Sequence, residues 1–233
     1  MNQTFTGAGS QQAVQDRTIL KNVYLWMTAG LFMTAVVAWG FAGSRFFISY
    51  IQNPILMFGV IIAELVLVFR LSRNIGQMSV GAAVVTFGAY AALNGINLST
   101  IFYVYKLGTI TNAFFSTAAL FGVMSLWAVT TKKDLSGLGH YLMMGLIGLI
   151  VASLVNMFLR SSGLDYLISY AGVALFTGLT AYDTQKIKRM SRSMSHTVNE
   201  EGFMKLSILG ALTLYLDFIN MFLFILRILG RRD

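Results

Sequence analysis

Apolar residues run through this chain in seven long stretches separated by polar breaks. They cover about residues 22–42, 54–71, 78–104, 109–130, 136–159, 164–189 and 203–229. A helix needs about 20 mostly apolar residues to cross the hydrocarbon of a bilayer. The pattern therefore predicts an all-α integral membrane protein with seven transmembrane helices. Asn94, Asn97 and Ser99 interrupt the third stretch, which is expected to be a kinked helix with its amides turned toward protein. The longest polar connection is KIKRMSRSMSHTVNEEG, residues 186–202, so no separate soluble domain fits. Residues 1–20 are expected to form a disordered polar tail, and residues 21–233 the transmembrane bundle. Residues 1–18 lack the charged-then-apolar pattern of a signal peptide, so the first apolar stretch is expected to remain as a span.

Composition agrees with the pattern. Charged residues are 11% of the chain and hydrophobic residues 56%, with a mean hydropathy of +0.69. A soluble domain carries about 25% charged residues. The net charge is +8, but no basic run interleaves with aromatics. Nucleic acid is not an expected partner, and basic loops against an anionic lipid surface account for the excess. The chain has no cysteine, which excludes disulfides and thiolate chemistry.

Lysine and arginine set orientation. With the N-terminus in the cytoplasm, eleven basic residues fall inside. Six fall outside: Arg45, Lys106, Arg160, Arg227, Arg231 and Arg232. The excess favours a cytoplasmic N-terminus, although seven spans then leave the basic ILRILGRRD tail outside. Small residues recur four apart at Gly88 and Ala92, Ala91 and Gly95, Gly148 and Ala152, and Ser207 and Ala211. Such pairs let helix backbones approach closely in lipid. No internal repeat suggests a transporter with inverted halves.

Carboxylates inside apolar stretches carry the candidate chemistry, because an ionisable group within a membrane is expensive. Asp217, in LTLYLDFINMF, has no basic residue within one turn and lies roughly 20 Å from the start of its helix. Asp183, in LTAYDTQKIK, lies roughly 12 Å from the end of its helix, with Lys186 three residues on. Two such acids on successive helices suggest a shared site for a proton or a cation, although their depths do not match. Glu64, in VIIAELVLVF, is a candidate path-lining group. Arg70 and Arg73 close that segment as snorkelling anchors, or reach inward to a carboxylate. Asp134 in TKKDLSG reads as a helix N-cap or an interfacial charge. His140 and His196 are the only histidines, without zinc-site spacing.

The motifs LTAYDTQKIK, ALTLYLDFINMFLFILRILG, TTKKDLSGLG and LNGINLSTIFYVY together resemble the transmembrane Bax inhibitor motif family, and its bacterial inner-membrane members in particular. The resemblance covers about residues 20–231. It implies seven helices, the last central and surrounded by the other six. It also implies that Asp183 and Asp217 face each other as a dyad, with an arginine of the second helix, here Arg73, as a partner. The implied activity is a pH-sensitive calcium leak of the inner membrane. Calcium is then the bound or transported ion, and no other cofactor is expected. The physics is consistent with that activity. Two close carboxylates do not both ionise cheaply and share a proton. Fully ionised, their oxygens suit Ca²⁺, a hard cation.

Two other classes compete with the leak: a membrane enzyme or retinal protein, and an interaction protein. Intramembrane aspartyl proteases need Gly-x-Gly-Asp, where this chain has Leu214-Tyr215-Leu216-Asp217, and a Pro-Ala-Leu motif, where the only proline is Pro54. Lys205 is too near its helix start for a retinal protein. No enzyme is therefore expected. The second class is a membrane interaction protein that modulates a membrane protease or a stress or cell-death pathway, without ion flux of its own.

Overall fold

The structure is a computed structural model that describes residues 5–194 and 200–230, with side chains described for 18–192 and 200–230. The described residues form helices α1 (Phe5–Ala42), α2 (Phe46–Gln52), α3 (Pro54–Asn74), α4 (Val80–Leu98), α5 (Ile101–Val104), α6 (Leu107–Thr130), α7 (Leu138–Leu159), α8 (Ser162–Met194) and α9 (Glu200–Leu229). Seven segments are long and apolar enough to span a membrane: Thr18–Ala42, Pro54–Asn74, Val80–Val104, Leu107–Thr130, Leu138–Leu159, Ser162–Arg192 and Glu200–Leu229. The seven expected spans are therefore present, each within a few residues of its expected limits. The chain is an all-α, multi-pass membrane protein. Helix α1 begins at Phe5, within the segment read as a polar tail. His196 lies outside the described residues.

Local chemistry sets the helix boundaries. Asn53 caps α3 by accepting from the N–H groups of Ile55 at 3.0 Å and Leu56 at 3.3 Å. Pro54 follows at the first helical position, where its missing N–H costs nothing. Ser79 caps α4 through the N–H of Ala82 at 3.2 Å. The third span breaks after Leu98, where the Ser99 hydroxyl donates to the Ile96 carbonyl at 2.6 Å and α5 follows a one-turn interruption. Asp134 does not cap α7. Gly137 holds that position, while Asp134 accepts from the Ser136 N–H and hydroxyl, both at 2.9 Å.

The chain divides into two compact units. The first comprises Met1–Val104 and Ile187–Tyr215; the second comprises Tyr105–Lys186 and Leu216–Asp233. In the first, α1 lies along α4 at very short range. A Cβ at Gly95 would stand 2.7 Å from the Thr34 carbonyl oxygen, and the Thr34 hydroxyl donates to the Ala91 carbonyl at 2.8 Å. The Ala91 and Gly95 pair is thus a close-approach surface. In the second unit, α8 and the last turns of α9 meet where the Phe224 ring lies 2.6 Å from a Cβ position on Gly172. Helix α7 is the least enclosed span: none of its most apolar window is buried, against 67% for α9. Gly148 of α7 has no neighbour within 4 Å of a Cβ position, so its pairing with Ala152 does not mark a close helix contact.

Candidate functional site

Asp183 and Asp217 are brought together in the second unit. Asp183 is 8% exposed and Asp217 4%, and the Asp183 charge reaches Asp217. The Asp217 Oδ2 has no hydrogen-bond partner among the described residues. The depth mismatch read from sequence is resolved by helix register. Carrying the contact between Gly172 and Phe224 along two antiparallel helices sets Asp217 beside Leu179. Asp183 is then one turn away, about 6 Å along the axis. Lys186 is the charge acting on Asp183; it is exposed, with its ammonium 5.9 Å from the Tyr182 ring centre. The two aspartates of the expected dyad therefore lie near one another and are both buried.

Gln185, which sequence reasoning passed over, ties the TTKKDLSGLG loop to the helix that carries Asp183. Its Oε1 accepts from the Leu135 N–H at 2.8 Å, and its Nε2 donates to the Lys133 carbonyl at 2.9 Å. Leu135 is buried against Ala128 and Ala181. The signal available was a glutamine two residues after the aspartate, inside a span, where an amide needs a partner. At the other end of the unit, Arg227 of α9 pairs with Asp165 of α8 at 3.4 Å and lies over Phe224.

The other two candidates are in the first unit. Arg73 is exposed, its guanidinium 5.9 Å from the Phe69 ring of its own helix. Glu64 belongs to a polar cluster that the sequence did not assemble. Its carboxylate hydrogen-bonds the Asn97 side chain, and Asn97 Oδ1 also accepts from the Tyr50 hydroxyl. The Glu64 Oε1 lacks a partner. One helical face of α4 supplies Tyr90, Asn94 and Asn97. Tyr215 of α9, fully buried, lies edge-on to Tyr90 and donates to Asn94 Oδ1 at 3.2 Å. Its hydroxyl also bonds Thr34 at 2.6 Å. The amides of the third span thus face protein, as expected. Tyr50 lies between spans, and burial, followed by the Glu64 charge, raises its phenol above the ordinary value of 10.0.

No group of three or more histidine, cysteine or acidic residues suited to holding a metal occurs among the described residues. A cation at the aspartate pair would have four carboxylate oxygens and would need water or carbonyl oxygens besides.

These features define a class: a helical multi-pass membrane protein with a buried pair of interacting carboxylates on its last two spans. The family model described as "Inhibitor of apoptosis-promoting Bax1" matches residues 16–233, and the chain belongs to that family. It is 49% identical to the inner membrane protein YbhL of Escherichia coli K12, over 96% of this chain and 97% of the relative. A Borreliella burgdorferi protein is 40% identical, covering 95% of each chain. A Rickettsia prowazekii protein, RP147, is 42% identical over 93% of this chain and 90% of its own.

Proposed function

We propose that this protein is a pH-sensitive, calcium-permeable leak of the cell inner membrane, gated by Asp183 and Asp217. The observation that carries the reading is the pair itself. Two carboxylates in adjacent spans are buried, within range of each other's charge, and one oxygen of Asp217 is without a partner. Such groups inside a membrane mark ion and proton paths. When ionised, the pair offers hard oxygen ligands to a divalent cation. When it holds a proton, that ligand set is spent and the charge that attracts the cation falls. Protons and calcium therefore compete for one place. Two carboxylates are also fewer ligands than a tight calcium site uses, which suits an ion that must leave again. The inner-membrane location is supported by the name of the Escherichia coli relative. A cytoplasmic N-terminus and a central last helix complete the proposal.

The test is calcium flux into proteoliposomes of the purified protein, from about pH 5 to pH 8, for wild type, Asp183→Asn and Asp217→Asn. Flux is expected to depend on pH in wild type and to lose that dependence in both variants. An unaltered pH profile in Asp217→Asn sinks the gating role. No flux above empty liposomes from folded protein replaces the leak by the reading in which the bundle binds another membrane protein.

A further inference from the structure

We propose that the crevice between α7 and α8 binds one acyl chain of an anionic phospholipid, whose phosphate is held by Arg160 in the turn between the two helices. The crevice has a volume of about 350 Å³, and its walls are apolar. Gly145, Gly148 and Ala152 line it from α7, and Leu164, Ile168 and Ala171 from α8. Along α8 the lining runs from Leu164 to Leu175, about 16 Å at the helical rise. Volume over length gives a cross-section of roughly 20 Å², far narrower than a helix of about 10 Å diameter. A single polymethylene chain has that thickness; a helix of a second copy does not fit inside. Helix α7 buries none of its most apolar window in protein, so the medium beside the crevice is lipid.

The head-group end is marked by a second, independent feature. Arg160 has φ 51° and ψ 33°, the left-handed conformation that favours glycine. It is the only non-glycine residue with positive φ among the described residues. A long basic side chain kept in a strained backbone position points to use of the side chain. Arg160 is exposed and has no ion pair among the described residues. Asp165, the nearest acid along the chain, is engaged by Arg227 at 3.4 Å and does not neutralise it. Arg160 precedes Leu164 by four residues, in the turn at that end of the crevice, the end at which the phosphate of a chain-inserted lipid would sit. A guanidinium binds phosphate oxygens in a two-pronged fashion, and an anionic head group adds attraction that a zwitterionic one lacks.

The test is native mass spectrometry of the full chain, titrated with phosphatidylglycerol and with phosphatidylcholine. Wild type is expected to hold one phosphatidylglycerol more tightly than phosphatidylcholine. Gly148→Leu fills the crevice, into space that is open at its Cβ, and is expected to lose that lipid. Arg160→Gly suits the backbone and keeps the fold. It is expected to weaken phosphatidylglycerol binding about fivefold, the factor for one basic group at an anionic surface, and to leave phosphatidylcholine unchanged. Thermal unfolding checks that each variant is folded, and Ala171→Leu fills the same space from α8 if Gly148→Leu is not. Three results overturn the proposal: filled-crevice variants that bind lipid like wild type, an unchanged head-group preference in Arg160→Gly, or a dimer rather than a lipid lost in Gly148→Leu.

Discussion

Tyr50 and Asn97 show how single polar groups are kept in an apolar chain. The Tyr50 hydroxyl donates to Asn97, and Asn97 also serves Glu64. In the fold the Tyr50 phenol ionises above 10.0, chiefly because it is buried and secondarily because of the Glu64 charge. Its neutral form is therefore the favoured one in the folded state. That contribution is whole below about pH 10 and is lost as pH rises through the folded value, because the unfolded chain then releases the proton first. Tyr50→Phe is expected to be less stable than wild type by about 1 kcal/mol at neutral pH, for one lost hydrogen bond. The gap should close above pH 10; thermal unfolding in detergent across alkaline pH measures it, and a constant gap refutes it. Asn97→Leu leaves two buried groups unserved and is expected to cost about 2 kcal/mol. In Glu64→Leu/Asn97→Leu one of those groups is gone, so the double variant should cost less than the sum of the singles. Additivity in a denaturant titration would show that the two side chains are not coupled.

At the scale of the elements, small residues mean different things in different helices. Gly95 of α4 faces the α1 backbone, with the Thr34 oxygen 2.7 Å from where a Cβ would stand. Gly148 of α7 faces open space. Gly95→Ala is expected to push α1 from α4 at a cost of about 1–3 kcal/mol. Gly148→Ala should be neutral or stabilising by up to about 1 kcal/mol, because alanine is the better helix former. Equal effects on unfolding would contradict the assignment of a close contact to one helix only. The polar α4 face and the Gln185 clamp make the same point. A helix spanning lipid satisfies its own backbone, so its side-chain amides and hydroxyls are free to fix neighbours.

For the whole molecule, seven complete crossings would put the two ends of the chain on opposite sides of the membrane. The basic Arg227 at the end of α9 departs from the charge rule by which orientation was read. Its pairing with Asp165 gives it a structural reason to be there. The chain has no cysteine, so single cysteines report topology without background. With a cytoplasmic N-terminus, Lys133→Cys is expected to react with an impermeant maleimide only from the cytoplasmic face, and Ser161→Cys only from the opposite face. Labelling of both from one side would remove a span between them; labelling with the sides exchanged would invert the protein.

The sequence alone determined the number, lengths and character of the spans, because each is set by a run of local transfer free energies that needs no neighbour to be read. It also singled out Asp183, Asp217 and Glu64, since a carboxylate in an apolar run stands out residue by residue. Which of these groups lie near one another was decided only by the tertiary structure. The Gly172–Phe224 contact brings Asp183 and Asp217 to neighbouring levels, where distance to the helix ends had suggested a mismatch. Glu64 of α3 was grouped instead with Tyr50 of α2, Tyr90 and Asn97 of α4, and Tyr215 of α9. Pairings of this kind depend on how helices rotate and slide against one another. Lipid-exposed and protein-facing positions in such helices are both apolar, so periodicity carries little of that information.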